Sequence, residues 1–103
     1  MKYGFDQRQF NLILACFKKI PEIEQVILFG SRAMGNFKPA SDVDLYVIGS
    51  AVTAQTLSRL HGLLNEESPL PFQFDIIAPP LSTEIQAHID KFGVTIYNKS
   101  ETK

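Results

Sequence analysis

The feature that most restricts the fold of this chain is a pair of aspartates set inside an otherwise apolar run, Asp42 and Asp44 of DVDLYVI. Aspartate is depleted from strands because its short side chain competes for the local backbone. Yet Asp42–Ile48 alternates as a strand does, with Val43, Leu45 and Val47 on one face and Asp42, Asp44, Tyr46 and Ile48 on the other. Such a strand needs an apolar layer against one side and a reason for charge on the other. Asp75 poses the same problem between Phe74 and Ile76 of QFDII.

Residues two apart on a strand leave the same face about 6.6 Å from one another, near enough to converge on one ion. Asp42 and Asp44 are thus a candidate chelating pair, and Asp75 joins them if the third strand lies beside the second. Carboxylates about 5 Å apart repel by about 3 kcal/mol per pair at an effective dielectric near 20, several times an ordinary surface interaction. A cation offsets that cost. With no Cys or His close in sequence, hard oxygen ligands select Mg2+ or Mn2+. Taken alone, an Asp-x-Asp pair is most often a solvated strand face, and Asp75 a strand-end residue facing water.

The remaining elements follow from periodicity. Phe10, Ile13, Leu14 and Phe17 recur at helical spacing from Asp6 to about Lys19, and Pro21 ends that helix. Gln25–Phe29 (QVILF) is a first strand closed by Gly30. GSRAMG opens a short helix with Ser31 near its start, before the loop NFKPAS. Thr53 to about Glu67 carries Leu57, Leu60, Leu63 and Leu64 on one stripe. Gln73–Ile77 is a third strand, Ser82–Phe92 a capped helix with Ile85, Ile89 and Phe92 inward, and Val94–Tyr97 a last strand before a frayed tail, NKSETK. This order predicts an α+β fold with α/β-type layers, a small mixed β-sheet backed by helices, in a single domain spanning residues 1–103.

Composition narrows the function classes. Hydrophobic residues are 45% of the chain and charged residues 20%, which excludes a disordered chain. A net charge of −1 provides no overall positive field, so bulk nucleic-acid binding is not expected. Apolar runs of about half a dozen residues are far short of the roughly 18 that cross a bilayer, so no membrane association is expected. The start, MKYGFDQRQF, lacks a secretory signal, and the lone Cys16, in LILACF, reads as a buried thiol, so a cytoplasmic location is expected.

The second half of the candidate site is Gly30-Ser31. A glycine directly after a strand lets the backbone approach a ligand, and a serine at a helix start offers a hydroxyl and free N–H groups to an anion. A plain helix cap uses the same geometry. Arg32 is placed either to add a planar charged donor to the same phosphates or to pair structurally with a carboxylate. His61 and His88 have no ligand-like neighbours and read as surface or boundary residues. Lys38 reads as solvated, and Tyr46 lines the pocket or packs. A metal site beside a triphosphate site means phosphoryl chemistry, in which the protein supplies position and charge.

GSRAMG, the ten residues between Ser31 and Asp42, then SDVDLYVI and the later FDI together resemble the nucleotidyltransferase superfamily that includes DNA polymerase β, and within it the minimal nucleotidyltransferase (MNT) group. The resemblance runs from about Gln25 to Ile77. It implies the nucleotidyltransferase fold, with Gly30 and Ser31 holding the β and γ phosphates of ATP or another nucleoside triphosphate. It implies that Asp42 and Asp44 bind both of two Mg2+ ions, and that Asp75 ligates the ion that activates the acceptor hydroxyl. Met34 stands where the family often has arginine, which weakens phosphate or partner contacts and leaves the metal set intact.

The resemblance further implies an antitoxin that adenylylates a tyrosine of a separate helical HEPN-type partner. Two other functions compete: a non-catalytic antitoxin or regulatory subunit acting by contact, and a small-molecule nucleotidyltransferase like those that modify aminoglycosides.

Overall fold

The computed structural model describes residues 2–101. The first helix, α1 (Gln7–Lys18), is fixed at its start by a reciprocal pair of hydrogen bonds. Asp6 accepts from the Gln9 N–H at 2.7 Å, while the Gln9 side chain accepts from the Asp6 N–H at 3.0 Å. Its inner stripe buries Ile13, Cys16 and Phe17, with the Phe17 ring 5.5 Å from that of Tyr97. Burial raises the pKa of the Cys16 thiol, as expected for an inert core cysteine.

The strands are β1 (Gln25–Phe29), β2 (Val43–Ile48), β3 (Phe74–Ile77) and β4 (Val94–Asn98), in the spatial order β3-β2-β1-β4. β1 runs antiparallel to both β2 and β4, and β3 runs parallel to β2, so the sheet is mixed as expected. One face carries Val26, Leu28, Val43, Leu45, Val47 and Phe74, all fully buried in a cluster shared with Ile13 and Phe17 of α1. Leu60 of α3 (Ala54–Gly62) and Leu64 of the wider helical turn Leu63–Glu67 complete it. Thr53 and Thr56 cap α3 reciprocally. Within that turn, Asn65 acts as a surrogate strand for the start of β3, accepting from the Phe74 N–H at 2.9 Å and donating to the Phe74 carbonyl at 3.4 Å.

The second face is covered near β1 by α4 (Thr83–Phe92), where the His88 ring lies 6.1 Å from Phe29 and Ile89 is buried. A four-residue helix, α2 (Ser31–Met34), follows β1 directly.

Three expectations need correction. Asp42 lies just before β2 rather than within it. Ile85 is 37% exposed, because α4 turns His88 and Ile89, rather than Ile85, toward the sheet. The tail is tied down at its start: Asn98 ends β4 and the Lys99 N–H donates to the Glu24 carbonyl at 2.8 Å, while residues 102 and 103 lie outside the described residues. His61 is exposed, as expected.

Candidate active site

Strand register assembles the site. Phe29 pairs with Asp44 across the antiparallel β1–β2 ladder, and Asp44 pairs with Asp75 across the parallel β2–β3 ladder. Residues in register on adjacent strands project to the same face, so the Asp44 and Asp75 carboxyl groups are neighbours on the face opposite the core. The chain leaves β1 at Phe29 beside them. Asp42 and Asp75 are exposed and Asp44 is half-buried.

Gly30 follows with φ 77° and ψ −158°, a backbone state that side chains rarely tolerate. A Cβ at this position would collide with the Asp44 carboxylate. Glycine is therefore required twice over, once for the turn and once for the space that Asp44 occupies. Ser31 begins α2, whose single turn is closed by Met34 N–H to the Gly30 carbonyl at 3.1 Å and Gly35 N–H to the Ser31 carbonyl at 3.0 Å. The amides of Ser31, Arg32 and Ala33 belong to the first turn, which has no intrahelical acceptor for them.

Electrostatic strain gathers on Asp44. Its pKa is pushed up to about 6, first by burial, then by the neighbouring carboxylates Asp75 and Asp42, with His88 opposing. Among the described residues, no group of three or more His, Cys, Asp or Glu side chains closes into a set that could hold a metal ion. The convergence of all three carboxylates expected from the sequence is thus not formed by the side chains alone: Asp44 and Asp75 are side by side, and Asp42 stands before the strand. Mg2+ is ordinarily held by one or two carboxylates, with water and phosphate oxygens completing its shell. The carboxylate pair, and the raised pKa that a cation would relieve, suit that ion.

Arg32 departs from the phosphate-contact expectation. It is 1% exposed, and its guanidinium donates to the carbonyls of Ser41 (3.1 and 2.8 Å), Tyr3 (2.9 Å) and Pro39 (3.2 Å). The rings of Phe5, Phe37 and Phe72 surround it at 5.3, 5.2 and 4.8 Å. Burial lowers its pKa and Asp42 opposes that shift. Three of these four hydrogen bonds brace the loop entering β2, immediately before Asp42, and the fourth ties the side chain to Tyr3. Met34, at the other end of α2, is 44% exposed.

His88 is the residue that sequence reasoning missed. Its Nε2 accepts a hydrogen bond from the Gly30 N–H at 2.9 Å, across 58 residues of sequence. Its ring lies between Phe29 and Phe92, 5.3 Å from the latter. The available signal was the phase of α4, in which His88 lies beside inward Ile89 and four residues before Phe92.

Comparison with known proteins gives consistent results. The family model for polymerase β nucleotidyltransferases matches residues 11–102. Among solved structures, a toxin–antitoxin complex with AMP-PNP superposes with a TM-score of 0.71 at 20% identity, covering 89% of this chain and 75% of that one. A structure of a tri-AMPylated Shewanella oneidensis HEPN toxin in complex with MNT antitoxin gives 0.66 at 19% identity, covering 92% and 74%. The toxin–antitoxin complex MntA–HepT gives 0.66 at 19% identity, covering 93% and 75%. At these identities the likeness is one of fold. No curated protein matches the chain.

Proposed function

The chain belongs to the polymerase β nucleotidyltransferase family, and from that premise we propose that it uses Mg2+ and ATP to place AMP on a hydroxyl group of a helical, HEPN-type partner protein. The observation that carries this reading is the register Phe29–Asp44–Asp75, which sets a glycine turn and two carboxylates side by side at one end of the sheet. The raised pKa of Asp44 marks the place where positive charge is wanted.

In this reading Gly30 and Ser31 hold the outer phosphates, using backbone approach and the unpaired amides of the first turn of α2. Asp42, Asp44 and Asp75 hold the ions, which when bound neutralise phosphate charge and polarise the P–O bonds. Asp75 is exposed on the edge strand β3, so the acceptor approaches from that side. The acceptor oxygen attacks the α-phosphorus in line, the bond from that phosphorus to the bridging oxygen breaks, pyrophosphate leaves, and the hydroxyl proton passes to Asp75 or solvent. A protein acceptor is supported by the Shewanella oneidensis complex, in which the HEPN toxin is tri-AMPylated.

The test is incubation with Mg2+, ATP and a candidate helical HEPN-type protein. Label from α-labelled ATP is expected on the partner, none from γ-labelled ATP, and none with Asp44→Asn. Stoichiometric complex formation without label, unaffected by Asp44→Asn, establishes the contact-only antitoxin instead. Labelled product formed from small hydroxyl compounds without a partner establishes the small-molecule transferase.

A further inference from the structure

We propose that His88 is a positioning residue of this site, holding the Gly30 turn in its phosphate-ready shape before nucleotide arrives; the nucleotide half of the claim rests on the transferase reading above. Gly30 adopts a positive-φ state and, as the N-cap of α2, has no side chain of its own with which to cap that helix. What restrains its N–H is the imidazole of a helix on the far side of a 58-residue separation. Because Nε2 accepts from the Gly30 N–H, its lone pair is already engaged by the turn. His88 therefore does not act as a general base here; it acts on the turn.

The ring itself has little freedom. Phe29 meets it edge-on at 6.1 Å and Phe92 lies tilted at 5.3 Å, so the acceptor is aimed by packing as well as by the hydrogen bond. Phe29 is also the residue that pairs with Asp44. One side chain thus links α4, the end of β1 and the turn whose missing Cβ leaves room for the Asp44 carboxylate. A turn ordered in advance reduces the ordering cost of binding a triphosphate, so losing the anchor is expected to weaken nucleotide binding more than it slows the bound reaction.

The test compares His88→Phe, which keeps an aromatic ring but removes the acceptor, with His88→Gln, which keeps an acceptor at a similar reach but removes the ring. Hydrogen exchange at the Gly30 amide is measured by NMR without nucleotide, Kd for Mg·AMP-PNP by calorimetry, and kcat and KM for ATP by label transfer. In His88→Phe, Gly30 exchange is expected to quicken about tenfold and Kd and KM to rise roughly 3- to 10-fold, with kcat within about twofold. His88→Gln recovers most of both effects despite a lower Tm. If His88→Phe fails to fold, the pair His88→Gln and His88→Met, alike in length, carries the same comparison.

Unchanged Gly30 exchange and unchanged Kd in the acceptor-free variant overturn the proposal, as does a glutamine variant no better than it. A wild-type chain that binds no Mg·AMP-PNP overturns the transferase reading and the nucleotide half of this one; wild-type binding with an indifferent His88→Phe overturns this one alone.

Discussion

The two faces of β2 are made of the same six residues of backbone and behave oppositely. On one, Val43, Leu45 and Val47 are fully buried between sheet and helices. On the other, Asp44 is held beside Asp75 with its pKa raised to about 6 and a glycine turn pressed against it. The first face contributes stability and the second costs it. A carboxylate that dislikes its surroundings persists because the strand beneath it is fixed by the apolar side. The alternation of a strand is what allows both on one element.

That division can be broken in several ways, and the largest effect falls on the charged face. Asp44→Asn is expected to lower nucleotidyl transfer by about a thousandfold or more, equivalent to about 4 kcal/mol of transition-state stabilisation, while leaving the denaturation midpoint at pH 7 unchanged or higher. A lowered midpoint would mean that Asp44 supports the fold and that the two faces are not separable. On the apolar face, Leu45→Ala is expected to cost about 2–5 kcal/mol in urea denaturation through the cavity it leaves, with turnover per folded molecule retained.

Arg32→Lys sharpens the boundary between the two faces. A lysine has no fork to bridge the Tyr3, Pro39 and Ser41 carbonyls, so stability is expected to drop by about 1–3 kcal/mol. Kd for Mg·AMP-PNP, measured well below the Tm, changes by less than about threefold. A large rise in Kd with little loss of stability would return Arg32 to the phosphates.

The smallest effect is the pH dependence of the free protein. The folded pKa of Asp44 lies above its unfolded value of 3.8, so folding favours the protonated form. The resulting stabilisation is complete below about pH 4 and lost as pH rises through about 6, on the order of 1 kcal/mol once solvent screening is allowed for. The Tm difference between Asp44→Asn and wild type should grow across that window and level off above it. A flat difference would show that Asp44 carries no such strain.

Where a feature depends on neighbours in sequence, it was legible there. The spacing of Gly30-Ser31 and Asp42-x-Asp44, the helix caps at Asp6, Thr53 and Ser82, and the alternation of β2 are all local; the structure places Asp44 and Asp75 on the expected strands and the caps at the expected helix starts, with Asp42 one residue before β2. Arg32 turns inward because it joins the Pro39 and Ser41 carbonyls of the loop to the Tyr3 carbonyl 29 residues away, and His88 reaches Gly30 across 58 residues. No local pattern encodes such contacts. Ile85 fits the apolar stripe of α4 by spacing, but α4 presents His88 and Ile89 to the sheet, so Ile85 stays in solvent.

The most direct test of the charged face is paramagnetic broadening by Mn2+ in the presence of Mg·AMP-PNP, read residue by residue in an NMR spectrum of the wild-type chain. Signals of Gly30, Ser31, Asp44 and Asp75 are expected to broaden first, and those of Leu57 and Leu60 on the far side to remain sharp. Broadening centred instead on another acidic stretch, such as Glu22 and Glu24, would contradict the assignment of this end of the sheet as the nucleotidyl-transfer site.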